Sequence, residues 1–209
     1  MDPYKETIKT WNKIASLYED KFMDLDLYND TYDIFCERLE IVSPRILEIG
    51  CGPGNITKYM LLNRPDFNIL GIDIASNMVE LAMKNNPAAD FKVMDCRQIN
   101  ELETKFDAII CGFCLPYLSK SDCTKFIKDC YNIISDTGIL YISFVEGDYI
   151  NSGYQTGNNG DKIYFYYHSF NEVNKDLTEN NFSLINTINK NYIKNDEISE
   201  VHTIIIAKK

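Results

Sequence analysis

No uninterrupted apolar run in the 209 residues approaches the ~18 that a membrane span needs, and no membrane partner is expected. The opening Met1-Asp2-Pro3-Tyr4-Lys5-Glu6 has neither the basic nor the apolar stretch of a leader, which points to a cytoplasmic location. Positive charge is also scarce. The 21 basic side chains stand against 31 acidic ones, for a net charge of −10, and no Lys/Arg run stands out. Phosphate backbones are held largely by Lys and Arg, so a nucleic-acid partner is not expected either.

Histidine occurs only twice, and the seven cysteines are odd in number and irregularly spaced. Cys111 and Cys114 form a CxxC, but no second CxxC or His pair follows at metal-site spacing, and no metal is expected. Two readings of the cysteines stay open: buried free thiols in a reducing compartment, or a redox or zinc site at Cys111/Cys114. With 45% hydrophobic and 25% charged residues, a chain of this length can build a core without disulfides. There is no internal repeat, low-complexity tract or linker. A single domain over 1–209 is expected, with a helical cap over 1–43 and a core over 44–209, and oligomeric state is not legible.

Periodicity sets out the elements. Ile8, Trp11, Ala15, Tyr18 and Phe22 recur at steps of three and four, one apolar stripe of a first helix. Tyr28, Tyr32, Phe35, Cys36 and Leu39 predict a second over 27–41. From Arg45 the pattern alternates between strand and helix. Strands are expected at 45–49, 67–73, 89–94, 106–110 and 139–145. Helices are expected from Asn55 to Asn63, from a Ser76 cap to Pro87, and from near Ser121 to a stop at Gly138. Strands this continuously apolar are buried on both faces, as in a parallel sheet. Gly147, Gly153, Gly157 and Gly160 among Asn and Asp make 147–161 a loop. Lys162–Tyr167 reads as an aromatic strand, and Ser169-Phe170-Asn171-Glu172 as a capping box. Phe182–Tyr192 and Glu200–Ala207 read as an antiparallel hairpin about the turn Lys194-Asn195-Asp196-Glu197.

The segment Ile46-Leu47-Glu48-Ile49-Gly50-Cys51-Gly52-Pro53-Gly54-Asn55 is an apolar strand, a glycine-rich turn and a helix start. Such a turn lets backbone approach a ligand, and the helix offers free N–H groups. Its G-x-G-x-G spacing departs from the G-x-G-x-x-G of dinucleotide sites, which disfavours a nicotinamide oxidoreductase. A purely structural tight turn remains the alternative. Asp73 ends the next strand, where a carboxylate can accept ribose hydroxyls, Asp95 ends the third, and Cys111-Gly112 the fourth. All four strand ends share one edge of a parallel sheet, where open α/β folds bind ligands.

On these residues the chain resembles the class I S-adenosylmethionine-dependent methyltransferases of small-molecule type, over about residues 10–209. Glu48-Ile49-Gly50-Cys51-Gly52-Pro53-Gly54 matches the family's E/D-x-G-x-G-x-G, Asp73 its acidic residue after strand two, and Asp95 its Asp before the third loop. The resemblance implies a Rossmann-like α/β fold: a seven-stranded, mostly parallel sheet with helices on both faces, the last strand antiparallel, and an N-terminal helical cap. It implies S-adenosyl-L-methionine as cofactor and S-adenosyl-L-homocysteine as product. It further implies that Glu48, Gly50, Cys51 and Gly52 belong to the cofactor turn and that Asp73 holds the ribose. Ile74 and Met78 would then pack on the adenine, Asp95 and Cys96 would meet its edge, and the Cys111 carbonyl would take an amino group. The lead-in Trp11–Tyr18 is similar to a cap whose aromatic residue reaches over the cofactor, here Tyr18, though plain packing of the stripe stays open.

Methyl transfer from a sulfonium needs an aligned nucleophile more than covalent help, and a base only if the nucleophile arrives protonated. His168 is the candidate base, with packing or capping as the alternative; His202 lies among apolar residues. The segment after strand four, Cys111-Gly112-Phe113-Cys114, lacks the Asn/Asp-Pro-Pro-Tyr of base-methylating relatives. Tyr117, Tyr149, Tyr154, Tyr164, Tyr166 and Tyr167 suggest an aromatic acceptor chamber under the 147–161 loop. Two functions stay open: a methyltransferase on a small molecule, or a catalytically silent cofactor-binding partner or sensor subunit.

Overall fold

The computed structural model describes residues 3–157, 160–195 and 198–209; residues 158–159 of the expected loop and 196–197 of the expected turn lie outside the described residues. The chain opens with helices α1 (Pro3–Phe22) and α2 (Asn29–Glu37). Strand and helix then alternate through β1 (Arg45–Ile49), α3 (Asn55–Asn63), β2 (Asn68–Asp73), α4 (Ser76–Asn85), β3 (Asp90–Val93), β4 (Phe106–Gly112), α5 (Lys120–Ile133) and β5 (Ile134–Val145). A small hairpin, β6 (Gly153–Thr156) and β7 (Lys162–Phe165), precedes α6 (Phe170–Glu179), β8 (Ser183–Asn195) and β9 (Ile198–Lys208).

Seven strands form one sheet in the order β3-β2-β1-β4-β5-β9-β8, parallel from β3 to β5. Strand β9 runs antiparallel to both β5 and β8. The two-residue alternation of strand side chains divides the core between the faces. Leu47, Ile49, Ile109 and Leu140 pack with Phe126 and Cys130 of α5 and Leu177 of α6. Ile46, Ala108, Ile110 and Tyr141 pack with Phe35 of α2 and Met60 of α3. Among the described residues no helix is long and apolar enough to cross a membrane.

Four expectations need correction. Gly138 does not stop α5, which ends at Ile133. Phe106 pairs with Ile134 and Ala108 with Ile139, so 135–138 bulge out of the register, and a Cβ on Gly138 would lie 3.1 Å from the Asp107 carbonyl oxygen. Ser76 is the first residue of α4 rather than its cap: Ala75 precedes it in extended conformation, and Asn12 of α1 accepts the Asn77 N–H (3.0 Å) and the Ser76 hydroxyl (3.2 Å). The 147–161 loop contains strand β6, in which Tyr154 pairs with Tyr164 of β7. Helix α2 is also shorter than expected at both ends.

Candidate functional site

The ends of β1 to β4 meet on one edge of the sheet, beneath α1. Gly50 (φ +69°) and Gly52 (φ +52°) turn the chain away from β1 in the left-handed region. The Gly50 and Cys51 N–H groups both donate to the Ile72 carbonyl of β2 (2.8 and 3.0 Å), which ties this turn to the neighbouring strand. Asp73 then accepts the Gly52 N–H on one oxygen (3.0 Å) and the Ala75 N–H on the other (2.8 Å). Burial pushes the Asp73 carboxyl above its ordinary value, although these N–H bonds pull the other way. Its side chain also lines a cleft, open to solvent, at this edge of the sheet.

Of the expected cofactor residues, Tyr18, Gly50, Gly52, Asp73, Ile74, Met78, Asp95 and Cys96 line this cleft. Glu48, Cys51 and Cys111 do not. Cys51 packs with Val79, Ala82 and Phe91, and Cys111 is fully buried in the sheet, leaving the next residue, Gly112, to face the cleft. Glu48 points the other way, toward α3, where the Thr57 hydroxyl donates to one carboxyl oxygen and the second has no hydrogen-bond partner among the described residues. Burial pushes this carboxyl up to about 8 from its usual 4.5.

The folded chain therefore keeps a Glu48 proton that the unfolded chain releases above pH 4.5. The stability this proton supplies is whole below 4.5 and declines as pH rises toward 8, at up to about 1.4 kcal/mol per pH unit. Glu48→Gln should flatten that decline, and thermal unfolding from pH 5 to 8 measures it. An unchanged slope would place the titration elsewhere.

Beyond Tyr18, the rest of the roof and one wall were not found from the sequence. Tyr4, Thr7, Ile8 and Trp11 of α1 line the cleft together with Tyr18. The Trp11 ring stands edge-on to Tyr18 and to Tyr117, at 5.4 Å each, and its indole N–H is buried without a hydrogen-bond partner among the described residues. Burial, assisted by the Asp73 charge, pushes the Tyr18 phenol up to about 12. Arg97 forms the wall. Its guanidinium bonds both oxygens of Asp95 (2.5–3.0 Å) and lies 4.0 Å over the Tyr4 ring, and its own N–H is capped by Asp95 (2.9 Å). The Tyr4 hydroxyl bonds Asp122 and accepts the Ser119 N–H, fastening the start of α1 to the start of α5.

His168 is not placed as a base. It is 2% exposed, away from the cleft, with Nε2 3.1 Å from the carbonyl oxygens of both Leu115 and Leu118. Burial lowers its pKa, so the neutral ring serves as a clamp on the turn after β4. His202 stacks on Tyr192 and shares a 2.6 Å hydrogen bond between Nδ1 and the Tyr28 hydroxyl. Neither histidine lines the cleft. Among the described residues no group of three or more His, Cys, Asp or Glu side chains is arranged to hold a metal ion.

Residues 46–138 match the family model described as a methyltransferase domain. A demethylmenaquinone methyltransferase of Thermotoga maritima is 27% identical over 104 residues, 50% of this chain and 44% of that protein. The chain spans less than half the length of this and two other curated relatives. A S-adenosylmethionine-dependent methyltransferase from Clostridium acetobutylicum superposes with a TM-score of 0.71 at 16% identity, over 95% of this chain and 98% of that one. A 1,6-didemethyltoxoflavin-N1-methyltransferase from Burkholderia thailandensis, solved with bound 1,6-didemethyltoxoflavin and S-adenosylhomocysteine, gives a TM-score of 0.70 at 16% identity over 100% of this chain and 91% of that one. The fold is that of the class I methyltransferases.

Proposed function

We propose that this chain, in which residues 46–138 carry the methyltransferase-domain pattern on a class I methyltransferase fold, transfers a methyl group from S-adenosylmethionine to a small molecule. The observation that carries the reading is Asp73: a half-buried carboxylate at the end of β2, braced by two backbone N–H groups and open to the cleft. The surroundings fit the cofactor. Gly52 offers bare backbone whose nearest neighbour would be the Tyr18 ring, 3.7 Å from an added Cβ, and Trp11 holds in the roof an N–H with no hydrogen-bond partner among the described residues. Gly50 and Gly52 would receive the methionyl part, Asp73 the ribose, Ile74 and Met78 the adenine face, and Asp95 and Cys96 its edge. The cofactor supplies an electrophilic methyl carbon. The chain's part is to align an acceptor and exclude water.

The acceptor side is aromatic. Tyr117 lines the cleft, and beyond Tyr4 the rings of Tyr166, Tyr149 and Tyr164 lie 4.6–6.4 Å from their neighbours. Thr7 and Thr10 of α1 hold β7 through the Tyr164 N–H (2.9 Å) and the Lys162 carbonyl (2.7 Å), so roof and hairpin form one wall. A flat, uncharged or aromatic acceptor suits this wall. With no histidine on the cleft, an acceptor that needs no strong base fits best. The same feature favours a second reading, a cofactor-binding subunit that methylates nothing.

Titration calorimetry with S-adenosylhomocysteine, with NADH as control, tests the cofactor site. Consumption of S-adenosylmethionine across a panel of small aromatic acceptors then separates the two readings. Removing 150–160 should leave cofactor binding in place and raise KM for any acceptor so found. Unchanged KM and turnover would remove the hairpin from the acceptor site.

A further inference from the structure

Two of the seven cysteines differ from the rest. Cys36, Cys51, Cys111, Cys123 and Cys130 are buried, whereas Cys96 and Cys114 are half-buried and line the cleft. Cys96 follows Asp95 at the end of β3, Cys114 follows β4, and their Sγ atoms are 3.6 Å apart. They belong to the ends of strands that are not neighbours in the sheet, so a bond between them would tie together two walls of the cleft. The expected partner of Cys114 in the CxxC, Cys111, lies within hydrogen-bond reach of it but is fully buried beneath.

We infer that Cys96 and Cys114 form an oxidisable dithiol whose disulfide closes the cofactor cleft. This rests on the cleft being the cofactor site. A two-electron oxidant such as hydrogen peroxide suffices. One thiolate sulfur attacks the peroxide O–O bond, forming sulfenic acid and releasing hydroxide. The second sulfur then displaces water from the sulfenic sulfur as the S–S bond forms. Two thiol protons and two electrons leave the protein, and peroxide becomes two waters.

A disulfide is about 2.05 Å long, so the sulfurs must close by roughly 1.5 Å from their present 3.6 Å. That movement takes place against the cofactor turn: a Cβ on Gly50 would lie only 3.1 Å from the Cys114 Cβ. It also draws in Cys96, next to Asp95 at the adenine edge. Hydrogen bonding within the thiol cluster and burial hold both thiols well above their usual range, so thiolate is scarce near neutrality and oxidation should be slow. A bound cofactor would cover both sulfurs, so oxidation and cofactor binding should oppose each other.

The test uses the whole chain, reduced or treated with excess hydrogen peroxide, digested under non-reducing conditions for mass spectrometry and titrated with S-adenosylhomocysteine. The expected result is a Cys96–Cys114 cross-linked peptide, suppressed by prior S-adenosylhomocysteine. Affinity should fall roughly tenfold or more, the scale of ångström misplacement in a site, and return with dithiothreitol. In Cys114→Ser the ratio of affinities before and after peroxide should return to one. A pairing of Cys111 with Cys114, no cross-link, or a cross-link that leaves affinity unchanged overturns the inference. If the reduced chain binds no S-adenosylhomocysteine, the cofactor reading fails and the closure with it, while the peptide mass still reports the disulfide.

Discussion

Asp73→Ala should weaken S-adenosylhomocysteine binding by roughly 100-fold, the loss expected for two hydrogen bonds to a charged group at about 1.5 kcal/mol each. The carboxylate does two jobs. It accepts the Gly52 and Ala75 N–H groups, which sets the glycine turn, and it lines the cleft. The two can be separated with a 2′-deoxyribose analogue of the ligand. If Asp73 holds the ribose hydroxyls, the wild-type chain discriminates against the analogue and the variant does not. If the variant binds both weakly but still discriminates, Asp73 acts through the turn alone. An unchanged affinity for S-adenosylhomocysteine would sink the whole assignment of the cleft.

What the sequence made legible is what local periodicity and strand ends encode. The apolar runs at 45–49, 68–73 and 139–145 are strands buried on both faces, and the glycine turn and Asp73 follow from where those strands stop. The stripe through Trp11 and Tyr18 marked a helix and, through Tyr18, a lid on the cleft. Glu48 is the instructive failure. It sits two residues before the turn, yet strand alternation gives it the same side as Ile46, toward α3 and away from the ligand edge.

Other features depend on contacts far apart in the chain. Tyr4 finds Asp122 across 118 residues, and no local pattern announces that pairing. Strand β6 is only four residues and opens on a glycine, and it exists as a strand because β7 pairs with it and α1 holds β7. Arg97 was within reach of sequence reasoning: an Asp two residues before an Arg, at the start of a turn, can cap its N–H and hold its guanidinium together. His168 misled because it follows an aromatic strand. The parallel bridge from Glu146 to His168 carries its ring to the carbonyls of Leu115 and Leu118 instead of the cleft.

Gly54→Ala should lower stability by about 3 kcal/mol, or roughly 6–12 °C in Tm for a chain of this size. Gly54 caps α3 at φ +85°, where an alanine costs about 1–2 kcal/mol. Space adds the rest. A Cβ would stand 2.3 Å from the side-chain nitrogen of buried Asn86, which donates to the Gly54 carbonyl (3.0 Å) and the Ala82 carbonyl (3.4 Å). The Asn86 amide cannot retreat without breaking those bonds inside the protein, and Ala82 stands close behind, its Cα 3.3 Å from the added carbon. The two contributions come apart in a double-mutant cycle. Asn86→Ala removes the obstructing amide, so Gly54→Ala made in that background should cost only the backbone share of about 1–2 kcal/mol. Urea unfolding of the four proteins measures the coupling. Strict additivity would mean that the turn, and not its contact with α4, requires the glycine. Because Gly54 does not line the cleft, S-adenosylhomocysteine affinity measured well below Tm should change far less than in Asp73→Ala. The G-x-G-x-G pattern thus divides its labour, two glycines lining the cleft and the third packing α3 against α4.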